Sequence, residues 1–264
     1  MFKGQVWRSL FGRSVRALRA MARTRPLRAL LGLLLVTTTG ILAVMGGQAY
    51  RNRDWRAISG GQALLGEAGD WCSQPVAPFE IQVTEVSNAA YLECVRAGEC
   101  PPPQSIWEAG PTGWVYPDGM AQHPVFGLSW EAADAYCRFI GARLPTEAEW
   151  VRAARGGSRQ DYPWGDTFDA EKANTFESNI GGTVAVKTYP DGRNAMGLYH
   201  LSGNVREWVA GQAIAPCDFT QGEGAHIARG GSFLDRADHA TLWSRFQGDD
   251  LPYTGMRCAR DLPP

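Results

Sequence analysis

From Ala29 to Gly47 the chain runs for 19 residues without a charged side chain, and most of them are apolar. As a helix at about 1.5 Å per residue, such a run nearly matches the ~30 Å hydrocarbon core of a bilayer. It therefore separates what precedes it from whatever folds after it. Eight Lys and Arg come before it, only Arg51 and Arg53 closely follow, and no Asp or Glu occurs before Asp54. A charge bias of that sign keeps the N-terminus in the cytoplasm and sends the remainder across the membrane. We read a signal-anchor helix at 29–47 behind a basic cytoplasmic arm at 1–28, in a bacterial inner membrane with the main domain periplasmic. In the arm, Arg13, Arg16 and Arg19 interleave with Leu10, Phe11, Val15, Leu18 and Met21, a pattern suited to a membrane surface. A cleaved signal peptide is the rival reading, because Gly47-Gln-Ala49 suits cleavage.

Beyond residue 53 the chain carries 16 basic and 27 acidic residues, a net charge of −11. Phosphate backbones need clustered Lys and Arg, so nucleic acid is excluded as the partner of this part. All six cysteines, Cys72, Cys94, Cys100, Cys137, Cys217 and Cys258, fall on the exported side, where disulfides persist. They allow fifteen connectivities. Cys94 and Cys100, with Gly98 between them and Pro101 to Pro103 after them, suit a local staple. No CxxC spacing points to a metal.

Residues 48–77, charged and without periodicity, read as a stalk, and the domain as 78–264. Phe79 to Val83 alternates as a half-buried strand does. Ser87 can cap a helix reaching Ala97, and Ser129 one reaching Ile140 and ended by Gly141. The Pro- and Trp-containing segment Pro101 to Pro124 reads as loop. Thr146 and Glu149 form a capping-box pair for a helix that Gly156 and Gly157 stop, with Trp150 and Ala154 on one face. No nucleophile elbow, P-loop, dinucleotide fingerprint or internal repeat occurs.

Five stretches in order carry a resemblance: Arg143-Leu-Pro-Thr-Glu-Ala-Glu-Trp150, Tyr162-Pro-Trp-Gly165, Gly197-Leu-Tyr-His-Leu-Ser-Gly-Asn-Val-Arg-Glu-Trp208, Arg229-Gly-Gly-Ser-Phe233 and Gly255-Met-Arg-Cys258-Ala-Arg260. Together they resemble the formylglycine-generating enzyme family, or sulfatase-modifying factor domain, across roughly Pro78 to Arg260. The resemblance implies an α+β, C-type-lectin-like fold with little regular secondary structure, here preceded by one transmembrane helix. It also implies a Cys137–Cys258 disulfide, which with the local staple leaves Cys72 for Cys217. Calcium is implied at two places: Asn174, the Thr175 carbonyl, Ser178 and the Ile180 carbonyl, and His200, the Gly203 and Val205 carbonyls and Glu207. Ser178 stands where the family usually has Asp, and His200 where it has Asn or Asp, which weakens both sets of hard donors. A loop brace by Asn204, Glu207 and Trp208 is the alternative at the second place.

An active member of the family binds Cu(I) through two cysteines after the Gly-Gly-Ser-aromatic motif. This chain has Asp235 and Ala240 there. Neither is a soft thiolate, so copper is not expected. Trp243, Arg245 and Phe246 replace an Arg-rich run that shapes the family's peptide groove. Asp235, Asp238 and His239 could in principle offer a rewired metal site on one turn. The expectation is a membrane-anchored, exported pseudoenzyme or binding module, an accessory or structural subunit with a membrane-protein partner, and a protein or a glycan as ligand. The alternative is a metal-dependent oxygenase or oxidase with a rewired site.

Overall fold

The computed structural model describes residues 55–66, 71–111, 113–212 and 224–262. In chain order these give strands β1 (Trp55–Ile58), β2 (Gly61–Leu65), β3 (Cys72–Val76) and β4 (Phe79–Gln82), helix α1 (Asn88–Ala97), and strands β5 (Glu108–Gly110) and β6 (Gly113–Val115). Helices α2 (Trp130–Phe139) and α3 (Glu147–Arg155) follow, then strands β7 (Arg206–Gln212), β8 (His226–Arg229), β9 (Arg245–Gln247), β10 (Thr254–Gly255) and β11 (Ala259–Asp261). Among the described residues no helix is long and apolar enough to cross a membrane. Ala29–Gly47 and the basic arm lie outside the described residues.

The helices begin and end where their local chemistry says. The Ser87 and Ser129 hydroxyls accept from the amides of Ala90 and Ala132. At α3 the box is reciprocal: Glu149 N donates to Thr146 Oγ1 at 3.2 Å and Thr146 N donates to Glu149 Oε2 at 2.8 Å. Gly98 and Gly156 close α1 and α3 in the left-handed region, which costs a residue without Cβ little. Asn194 Nδ2 then donates to the orphan carbonyls of Ala153 and Ala154, tying a loop from 40 residues away to the end of α3.

Two sheets hold the loops. One has the order β1-β4-β11, the other β10-β7-β8-β9, with β10 and β7 parallel. Residues 55–76 are not the stalk that their weak periodicity implies. β1 pairs antiparallel with β4, and β2 and β3 form a hairpin packed on α3. Ile58, Ala63, Leu65 and Val76 are buried there with Phe79, Ile81 and Trp150. Within the expected loop, Glu108–Val115 also pairs as the short hairpin β5–β6.

A second apolar cluster gathers Tyr91, Leu92, Trp107, Tyr136, Leu144, Trp208 and Met256 around the disulfide Cys137–Cys258, whose Cα atoms are 5.5 Å apart. It joins α2 to the start of β11 as the resemblance implies. Cys94–Cys100 is the local staple. Cys72 is disulfide-bonded as well, and Cys217 lies outside the described residues. Cys137–Cys258 spans a sequence separation of 121 residues, so its removal costs about 5 kcal/mol in the loop-entropy account. The double substitution of both residues to Ala is expected to lower the denaturant midpoint accordingly; an unchanged midpoint means that the cross-link adds nothing to the packed cluster.

Candidate functional site

The interior is organised around Glu207, the second residue of β7, which is fully buried with Arg257. Arg257 Nε and Nη2 donate to Glu207 Oε2 and Oε1, each at 2.6 Å, and Trp150 Nε1 of α3 donates to Oε2 at 2.7 Å. The other Arg257 hydrogens reach the carbonyls of Gln82, Val83 and Tyr199. All five guanidinium donors are thus engaged. Burial works against the Arg257 charge, yet Glu207 and then Glu85 hold its pKa above the ordinary arginine value.

Glu85 is the third member of this cluster. Its Oε1 accepts from Asn204 Nδ2 at 2.9 Å, whereas Oε2 has no partner. Burial first, and the neighbouring Glu207 charge second, push its pKa well above the usual carboxylate range. One guanidinium serves two carboxylates here, and its hydrogen bonds to a carboxylate go to Glu207. His200 is buried beside them, and its pKa is pushed down to about 3 by burial and by the Arg257 charge. It is a neutral imidazole at physiological pH.

The expected calcium positions come together only in part. Ser178 Oγ lies 3.0 Å from Asn174 Oδ1 and 2.7 Å from the Thr175 carbonyl, with its hydroxyl directed between them, while Ile180 is exposed. That set contains no carboxylate. At the second position, Glu207 is neutralised by Arg257, Gly203 and Val205 are buried, and His200 replaces an oxygen. Calcium takes six to eight oxygens with carboxylates supplying the charge. These donors do not fit a tightly held calcium ion.

Hydrogen bonds instead brace the loops. Asn204, at φ 64°, accepts from Val184 N and Asn174 Nδ2 and donates to Glu85. Gly203 makes the approach possible, since a Cβ there would fall 2.3 Å from the Asn174 carbonyl oxygen. Trp208 Nε1 donates to the Leu128 carbonyl.

Asp235, at the first of the two positions where the family carries copper-binding cysteines, is saturated. Arg206 Nε and Nη2 donate to its two oxygens at 2.9 and 2.6 Å, and Ser232 N and Oγ donate to Oδ2 at 2.7 and 2.8 Å. Ala240, at the second position, is fully buried, and Gly231 packs so closely that a Cβ there would lie 2.8 Å from Ala240 Cα. His239 and Asp238 are 3.3 Å apart on an exposed turn, and Asp235 is turned away into its arginine. The rewired site is not assembled: among the described residues no group of three His, Cys, Asp or Glu could hold a metal ion.

Arg206 and Arg257 had no assigned role in the sequence reading. Both stand inside the quoted motifs, but their partners lie 29 and 50 residues away.

Comparison with known proteins bears on the family and the fold. A family model for the sulfatase-modifying factor enzyme 1-like domain matches residues 39–262. The chain is 38% identical over 151 residues to inactive C-alpha-formylglycine-generating enzyme 2 of Mus musculus, covering 52% of this chain and 46% of that one. It is 32% identical over 205 residues to formylglycine-generating enzyme of Thermomonospora curvata, covering 60% and 65%. The match therefore spans less than two thirds of either curated relative. Among solved structures, Treponema denticola variable protein 1 superposes with a TM-score of 0.63 at 21% identity, covering 79% of this chain and 95% of that one. At that identity the likeness concerns the fold alone.

The raised Glu85 pKa has a definite sign. Above its ordinary value of 4.5 the unfolded chain releases a proton that the fold retains, so this group lowers stability as pH rises towards the folded pKa. Glu85→Gln removes that titration. The stability difference between variant and wild type is expected to grow in the variant's favour above pH 4.5, by at most about 1.4 kcal/mol per pH unit, in denaturant titrations at a series of pH values. A difference independent of pH means that Glu85 is ionised in the fold.

Proposed function

The chain belongs to the sulfatase-modifying factor family, and on that premise we propose that it is a non-catalytic member: a membrane-anchored, exported binding module that serves as an accessory subunit of a membrane complex. The observation that carries the reading is the state of Asp235. A carboxylate is already too hard to replace a Cu(I) thiolate, and this one is held by four hydrogen bonds from Arg206 and Ser232. The mouse relative is itself named inactive, which supports loss of chemistry on a retained fold.

Export and anchoring rest on the sequence. Ten Lys and Arg and no acidic residue occupy the first 53 positions around the apolar run Ala29–Gly47, and disulfides on the far side of that run agree with an oxidising compartment. A tether raises the effective concentration of a domain near membrane partners, an advantage for binding.

Incubated with copper, oxygen, reductant and a Cys-x-Pro-x-Arg peptide, the protein is expected to form no aldehyde above a metal-only blank by mass spectrometry. Turnover above that blank overturns the non-catalytic reading and favours a rewired oxidase. Protease added to spheroplasts is expected to digest the chain from Asp54 onward; full protection of the domain reverses the proposed orientation.

A further inference from the structure

Three of the six large apolar side chains exposed among the described residues stand on two segments that are joined: Phe176 (53%), Ile180 (49%) and Leu234 (44%). Phe176 opens the 3-10 turn Phe176–Ser178, and Ile180 follows Asn179, the residue that ends it. Leu234 lies in the loop after β8, which is zipped to that turn. Phe176 N donates to the Asp235 carbonyl at 2.9 Å, and Ala237 N donates to Glu177 Oε1 at 3.1 Å. None of the three belongs to either apolar cluster of the interior. Single exposed apolar residues are ordinary, whereas neighbours on one surface mark a contact. Asp235, held by Arg206 and Ser232, fixes the loop from beneath, so docking here has little backbone to order.

Charges of both signs flank these side chains. The Arg236 guanidinium lies over the Phe176 ring, 5.2 Å from its centroid. It is exposed and acts on Glu177 through space, yet among the described residues no hydrogen bond or ion pair engages it. Glu177 is exposed as well. An anionic lipid surface attracts clustered Lys and Arg, and this patch offers one arginine beside an acid. A two-fold contact between identical surfaces makes a different demand: each patch has to carry both a charge and its complement, because every residue pair occurs twice.

We propose that this face binds a second copy of the chain in an isologous contact, with Phe176, Ile180 and Leu234 packed across the two-fold axis and Arg236 of each protomer against Glu177 of its partner. So few apolar side chains make a small interface, which places the dimer in the weak, reversible class. The inference stands apart from the non-catalytic and membrane readings, since it uses only the surface of the folded domain.

The test is sedimentation equilibrium of the full chain in detergent, over roughly the 10–100 µM range in which weak interfaces fill. Arg236→Glu alone and Glu177→Arg alone place like charges across the axis, and each is expected to weaken self-association at least roughly tenfold. Mixed in equal amounts, the two variants are expected to recombine as a heterodimer of wild-type affinity, because each then faces its opposite charge. Phe176→Ser and Leu234→Glu, at exposed positions, are expected to abolish the dimer while leaving the melting temperature of the monomer unchanged. A monomeric wild type, a dimer that survives Phe176→Ser and Leu234→Glu, or charge variants that keep their melting temperature but fail to recombine overturns the proposal.

Discussion

The ion pair between Glu207 and Arg257, completed by the Trp150 indole, is the interaction on which this interior depends. It binds together β7, the segment before β11, the end of β4 and α3, with neither charged side chain exposed. Taking two charges out of water costs several kcal/mol per ion, and a well-packed apolar substitute can match such a pair in stability. What the pair adds is orientation. Five guanidinium hydrogens meet five acceptors drawn from three stretches of chain, so a loop displaced by a residue leaves a buried charge unsatisfied. A chain with this little regular structure has few ladders to fix its loops, and directional contacts of this kind take over that task.

The same reasoning explains why Asp235 is locked. A carboxylate only 14% exposed and without donors would carry an uncompensated charge. Arg206 supplies a planar, two-pronged partner, and its guanidinium also lies over Phe246 at 4.2 Å. The place where the family carries a reactive sulfur has thereby become a structural joint between β7 and the loop after β8. A metal competing for this carboxylate would have to break both arginine contacts first.

How much of this was legible beforehand follows from the range of each interaction. Helix ends are decided within four residues, and Ser87, Ser129, Thr146, Glu149 and Gly156 are found at their expected places. The Cys94–Cys100 staple is also local. β1 to β3 were missed because strands of four or five residues carry little periodicity and owe their burial to partners elsewhere: Ile58 pairs with Phe79 across β4, and the β2–β3 hairpin packs on α3. The calcium sets came with the resemblance, and matching motif positions does not reveal that Arg257 compensates Glu207.

The residues that mark the family are mostly interior ones: Trp150, Asn204, Glu207, Trp208, Arg229, Ser232 and Arg257 are each 2% exposed or less. Their presence reports that the fold is kept, because each one satisfies another buried group. It does not report what the molecule touches. That information has to lie in side chains the interior does not require, and Phe176, Ile180 and Leu234 stand at such positions. One fold can thus pass between chemistry and binding while its marker residues stay the same. For this chain the absence of the sulfur pair at Asp235 and Ala240 therefore leaves the interior marker residues untouched.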